Sequence, residues 1–269
     1  MCRTPGIGAI LRHANGLVTP YGDTYRGYDT MIRKSVPRYR HRLCTILCMI
    51  GYGLMGCVLT LAVGQNKELQ PMRYLALGDS YTIGASVAPT ERWPVQLAAK
   101  LRANGLIVAE PLIIARTGWT TDELIAGIER QQPQGPFDLV SLLIGVNDQY
   151  RGRSDDEYRR QLRQLLHTAI TYAGGHPTHV IVLSIPDWSV TPFAAGQPRA
   201  AIAAAIDHFN AINRQEAAQA GAHYVDVTPV SRQALQYASL LASDGLHPSG
   251  KMYTQWVKLV LPTALAATQ

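Results

Sequence analysis

Five short, mainly apolar runs, at residues 74–77, 112–115, 139–144, 180–184 and 223–227, are separated by stretches long enough to hold a helix. Such runs have little polar side to turn to water, so each is expected to form a buried strand. The stretches between them carry helix signals. Thr120 with Glu123 and Ser154 with Glu157 have the spacing of a capping box. Tyr158, Leu162, Leu165, Leu166 and Ala169 recur on one helical face, as do Ile202, Ile206, Phe209 and Ile212, and polar Asn213 is expected to end that second stripe. A last helix is expected from Gly250 into the 259–265 region, burying Met252, Trp256 and Val260. Strands alternating with helices call for an α/β fold with a five-stranded parallel sheet covered on both faces. About 200 residues suffice for one such domain with a substantial core. Ligands in these sheets bind beyond the carboxyl ends of the strands.

The residues that follow the strand runs carry chemistry. Gly78-Asp79-Ser80 comes directly after the first run, where Gly78 is expected to permit a sharp turn and to leave Ser80 at the rim of the sheet. A serine hydroxyl needs an imidazole within reach, and that imidazole needs a carboxylate on its other nitrogen. Asp244-Gly245-Leu246-His247-Pro248 provides both, in a stretch whose Gly and Pro favour a loop. Gly118, after the second run, and Asn147, after the third, can offer a backbone and a side-chain N–H to a developing oxyanion, with the backbone N–H of Ser80 as a third donor. Taken singly, the last three signals read more readily as structural turns: an Asp capping a loop, a helix-entry glycine, an Asn-Asp turn.

Together, in this order and these strand contexts, they resemble the SGNH or GDSL family of serine hydrolases, over roughly residues 73–262. The family's Ser, Gly, Asn and His blocks map onto Ser80, Gly118, Asn147 and His247, with the Asp three residues before the His at Asp244. The resemblance implies a nucleophile at Ser80, a base at His247 and an oxyanion hole from Ser80, Gly118 and Asn147. It further implies a flavodoxin-like, three-layer α/β/α arrangement, which the periodicity permits without selecting.

Residues 1–64 differ in kind from 65–269. Eight Lys and Arg lie there against Asp23 and Asp29, a difference equal to the whole formal net charge of +6. The remainder is balanced, so the basic character of the chain argues for no nucleic-acid partner. All four cysteines, Cys2, Cys44, Cys48 and Cys57, also fall in this leading part, which leaves the rest without disulfides or thiolate metal ligands. Residues 43–63 are apolar behind the basic cluster Arg33, Lys34, Arg38, Arg40 and Arg42. That pattern is expected of an export or membrane-anchoring segment. Three fates follow in order of expectation: cleavage after Ala62-Val63-Gly64, an uncut anchor, or lipidation at Cys57. Met31 is an alternative start.

Among the other polar residues, Asp79 is expected to shape its turn and Asp148 to stabilise its loop. His167, His176, His179, His208 and His223 lack paired ligand spacing, so surface positions are expected and neither metal nor cofactor is required. Tyr81, Trp93, Trp119 and Trp188 are candidates to line a cleft or equally to fill the core, and the segment 186–199 is expected to form one wall of a pocket. The expected activity is hydrolysis of a carboxylic ester, whether of a lipid, a short acyl group or an acetylated sugar, by an exported or membrane-anchored protein. Acyl transfer to a sugar hydroxyl is the alternative within catalysis, and a non-catalytic glycan- or lipid-binding module the alternative outside it. Oligomeric state is left open.

Overall fold

The computed structural model describes residues 70–268. The expected leader, with its apolar segment 43–63, lies outside the described residues. Among the described residues, no helix is long and apolar enough to cross a membrane.

Five strands, β1 (Tyr74–Gly78), β2 (Leu112–Ala115), β3 (Leu139–Leu143), β4 (Val180–Leu183) and β5 (His223–Val225), form one parallel sheet in the order β2-β1-β3-β4-β5. The expected α/β class and five-stranded parallel sheet are therefore present. Every residue of β1, β3 and β4 is buried, whereas edge strand β2 is partly exposed. That is the reason their sequences read as continuous apolar runs. The one hydroxyl within the third run, Ser141, meets the Tyr74 hydroxyl on β1 at 2.8 Å, so a polar pair is satisfied inside the sheet layer.

Helices cover both faces. α2 (Trp93–Ala103) packs with α8 (Gly250–Ala267) on one side, and α3 (Thr121–Gln131), α5 (Asp155–Tyr172) and α6 (Arg199–Ala220) lie on the other. Both expected N-terminal signals act: Glu123 accepts the backbone N–H of Thr120 at 3.0 Å, and Ser154 accepts that of Glu157 at 3.3 Å. Met252, Trp256 and Val260 of α8 are all buried, as expected.

Asn213 does not end the buried stripe of α6. It is 1% exposed, and its Oδ1 accepts the Tyr158 hydroxyl at 2.6 Å. One turn earlier Asn210 exchanges two hydrogen bonds with the backbone of Ile185, and one turn later buried Glu216 takes Arg163 Nε at 2.6 Å. The face stays buried because each polar group meets a partner on a neighbouring element. The fourth and fifth strands end before residues 184 and 227 because the Ser184 hydroxyl accepts the N–H groups of Val227 and Thr228, which turns the chain into α7 (Thr228–Arg232).

This strand order reverses direction between β1 and β3. The crevice at their carboxyl ends is the switch point at which open α/β sheets hold ligands.

Candidate active site

Gly78 ends β1, and the chain enters α1 (Ser80–Ile83) two residues later. The sharp turn expected here is present, with only Asp79 between the strand and the helix, but Gly78 lies within the paired strand and has no positive φ that would call for glycine. A Cβ there would instead collide with the Leu143 carbonyl on β3 and with the Thr82 side chain. Glycine is thus required for close approach, which lets α1 sit directly on the end of the sheet. Asp79 caps this helix, its Oδ1 accepting the Tyr81 N–H at 3.0 Å, in keeping with a turn-shaping role. Its carboxyl is fully buried, and burial, followed by the nearby charge of Asp148, pushes its pKa up to about 8 against the pull of the Tyr81 hydrogen bond. Ser80, 5% exposed, is the first residue of α1, so its N–H has no carbonyl in the preceding turn of the helix to receive it.

Gly118 and Asn147 stand on either side of this point, after β2 and β3. Gly118 adopts φ +87°, and a Cβ would come no closer to protein atoms than 4.0 Å from Arg151. Backbone conformation, not crowding by the protein, demands glycine there. The Gly118 carbonyl accepts Arg151 Nη2 at 2.6 Å, which holds the loop in place. Asn147 lies in α4 (Val146–Tyr150), and its Nδ2 donates to the Trp119 carbonyl at 2.9 Å. One N–H of the amide is thereby used to fix its orientation, and the second is left for another acceptor. Asp148 is buried and receives both the N–H and the hydroxyl of Thr121, the latter at 2.7 Å, so it ties the Gly118 loop to α4 as a loop-stabilising acceptor.

The remaining pair comes from the loop before α8. Asp244 Oδ2 and His247 Nδ1 are 2.6 Å apart, and Asp244 Oδ1 accepts the N–H groups of Leu246 and His247, each at 3.0 Å. Partial burial opposes the charge of Asp244, but hydrogen bonds from the Ser86 hydroxyl, the His247 ring and these amides outweigh it and hold the carboxyl well below the usual carboxylate range. An ionised carboxylate only accepts, so Nδ1 carries the proton and Nε2 is left as the basic nitrogen.

Ser80, Gly118, Asn147 and His247 all line one cavity of about 180 Å³, with Asp244 behind the histidine. Five residues spread over more than 160 positions are brought to one rim. No direct hydrogen bond joins Ser80 to the His247 ring; the shared cavity and the Asp244 contact define their relation. A preformed carboxylate–imidazole pair facing a hydroxyl and several N–H donors can move a proton and stabilise a negative oxygen. A larger cavity, about 410 Å³, lies between α6 and α7, but its arginines are already paired, Arg214 with Asp226 at 3.3 Å and Arg232 with Asp207 at 2.7 Å. None of the five candidate site residues lines it.

The aromatic expectations divide. Tyr81 and Trp188 line this cavity, and Trp188 and Phe193 place part of the 186–199 segment along it. Trp93 is fully buried in the core, and Trp119 packs against Gly127 of α3, so neither reaches the cleft. Sequence reasoning missed Tyr150, Leu246 and Ser86. Tyr150 stands three residues after Asn147, a spacing that shares a helix face and would have marked it. Ser86 meets Asp244 across 158 positions, and no local signal announces it.

A family model described as GDSL-like Lipase/Acylhydrolase family matches residues 76–255, a span that includes all five site residues. No curated protein matches the chain. Among solved structures, similarity extends to TesA at 20% identity, covering 73% of this chain and 99% of that one, with a TM-score of 0.55. Axe2, an acetylxylan esterase from Geobacillus stearothermophilus, is 21% identical over 72% of this chain and 94% of its own, with a TM-score of 0.56. The psychrotrophic esterase EstA from Pseudoalteromonas sp. is 18% identical over 72% and 97%, with a TM-score of 0.53. At these identities the neighbours share the fold.

Proposed function

From its membership of the GDSL-like lipase/acylhydrolase family, to which this chain belongs, we propose that it hydrolyses carboxylic esters through an acyl-enzyme on Ser80. The observation that carries this reading is the Asp244–His247 pair, 2.6 Å apart, opening on the cavity that Ser80 lines.

His247 Nε2 takes the hydroxyl proton as Ser80 Oγ attacks the ester carbonyl, and Asp244 holds the imidazolium that results. The Ser80–His247 hydrogen bond forms when substrate is bound, since catalytic hydrogen bonds are commonly long or unmade without it. The N–H groups of Ser80 and Gly118 and the Asn147 amide receive the oxyanion. Collapse of the tetrahedral intermediate breaks the ester C–O bond, and His247 returns the proton to the leaving alkoxide. Water repeats the cycle on the acyl-enzyme and releases the acid.

The protein acts outside the cytoplasm. Support for this comes from the basic cluster at residues 33–42 followed by the apolar segment 43–63. N-terminal sequencing of protein recovered from the exported fraction tests it, and an intact basic region in soluble cytoplasmic protein would refute it.

A fluorophosphonate probe tests the chemistry. Ser80 is expected to be labelled and Ser80→Ala to remain unlabelled, with ester turnover lost in the variant. A folded wild-type protein that takes no label and turns over no ester would favour a binding module.

A further inference from the structure

Three aromatic rings stand together at the mouth of the catalytic cavity. The ring of Tyr150 lies 5.6 Å from that of Trp188 and 6.4 Å from that of Phe193, and Trp188 and Phe193 are 5.9 Å apart. Tyr150 is 57% exposed and Phe193 47%, and both rest against Trp188, which is buried. Large aromatic side chains grouped at the surface, beside a cavity, mark a place where something apolar is received.

The group is held in position. Trp188 donates its indole N–H to Gln149 Oε1 at 2.9 Å, so that donor is satisfied within the protein. Arg199 clamps the loop by donating to the carbonyls of Ser189 and Thr191, at 2.7 and 3.0 Å. The backbone N–H of Phe193 donates to the Gly245 carbonyl at 3.3 Å, which couples the aromatic wall to the loop that carries Asp244 and His247.

The chemistry of the lining is one-sided. Val146 and Leu246 extend the aromatic wall, and no Asp, Glu, Lys or Arg lines the cavity. Its polar side chains, apart from the tyrosines, are Ser80, Thr117, Asn147 and His247, which surround the reacting centre. A charged substrate group would lose its hydration here without gaining a partner. A sugar ring would find few fixed donors or acceptors for its hydroxyls. The cavity of about 180 Å³ has the volume of roughly six waters, and the ester group beside Ser80 takes part of it, so the room left suits a short chain.

We infer that Tyr150, Trp188 and Phe193 form the subsite for a short, uncharged, apolar portion of the ester substrate. The inference rests on reading Ser80 and His247 as an ester-hydrolase site. The same chemistry is presented by a short acyl chain and by a short apolar alcohol, and the two are separated by experiment.

Two series of esters distinguish them: p-nitrophenyl esters from acetate to dodecanoate, and acetates of alcohols from ethanol to dodecanol. In one series kcat/KM is expected to rise about fourfold per added methylene until the subsite is filled, and then to fall. The series that shows this maximum identifies the portion bound. The p-nitrophenyl hemiester of glutarate, with its terminal carboxylate, is expected at least about 30-fold below the hexanoate. Tyr150→Ala and Phe193→Ala are expected to reduce the preference for the six-carbon ester over the acetate by about fivefold or more. Both series flat or falling from two carbons, a maximum at twelve, equal use of the charged ester, or an unaltered preference in both variants would each overturn the inference.

Calorimetric binding of p-nitrophenyl hexanoate, ethyl hexanoate and hexyl acetate to Ser80→Ala, each compared with the hemiglutarate, needs no turnover. Preferential binding of a six-carbon ester with no hydrolysis by wild type would remove the hydrolase reading and keep the subsite. Hydrolysis by wild type with no preference in either binding or rate would do the reverse.

Discussion

The Ser86 hydroxyl donates to Asp244 Oδ2 at 2.6 Å, on the same carboxylate oxygen that meets His247 Nδ1, also at 2.6 Å. Ser86 holds this position with φ +64°, a conformation that costs a non-glycine residue about 1–2 kcal/mol. The segment that follows the Ser80 helix is thereby fastened to the loop that supplies the histidine.

Ser86→Ala is expected to raise the pKa of Asp244 back towards the usual carboxylate range. The carboxyl is depressed in the folded protein, so its stabilising contribution is present above its unfolded pKa, roughly 3.9, and is lost as pH falls through the folded value. The stability difference between wild type and Ser86→Ala should therefore be full above about pH 5 and shrink below about pH 4. Ser86→Gly should show the same pH dependence while being about 1 kcal/mol more stable than Ser86→Ala, because it also removes the backbone penalty. Denaturant unfolding at several pH values checks both, and a pH-independent difference would break the link to Asp244.

Asn147→Ala should lower turnover by about 10² to 10³ while leaving unfolding close to wild type. Its side chain makes a single hydrogen bond, to the Trp119 carbonyl. A loss of stability without a fall in kcat would assign Asn147 to the loop alone.

Gly78→Ala and Gly118→Ala should fail in different ways. The first drives a methyl group into the Leu143 carbonyl and Thr82, and is expected to cost about 1–3 kcal/mol or more, with weak expression. The second meets open space but must hold φ +87°, at a cost of about 1–2 kcal/mol, and should lose activity out of proportion to stability. Melting temperature against kcat for the two variants separates crowding from backbone conformation.

Asp79 should make the protein less stable as pH rises. Its pKa of about 8 in the fold lies above that of the unfolded chain, so the folded state binds more protons between those values. Stability from this group is full near pH 4 and declines through about pH 8, and Asp79→Asn is expected to flatten that decline. Unfolding free energies measured from pH 5 to 9 decide it; parallel curves for the two proteins would contradict the prediction.

The strands were legible because three of them are buried on both faces, and burial leaves a continuous apolar run at 74–77, 139–144 and 180–184. The site residues were legible because each follows such a run or shares a short loop, as Asp244 and His247 do. Asn213 was misread because a polar residue on a buried face looks the same in sequence whether or not Tyr158 is there to pair with it. Trp93 and Trp119 were ambiguous for a related reason: an aromatic ring fits a core or a cleft equally well.

What the sequence determined by itself is the alternation of buried strands and amphipathic helices, and with it the placing of Ser80, Gly118 and Asn147 at strand ends, since local apolar periodicity records which face meets the core. The tertiary structure alone decided the sheet order that brings those ends together, the Leu143 carbonyl that forces glycine at 78, the hydroxyl of Ser86 on Asp244 and the joining of Tyr150 to Trp188 and Phe193. These are contacts between residues far apart along the chain, and no local pattern encodes a partner that only folding supplies.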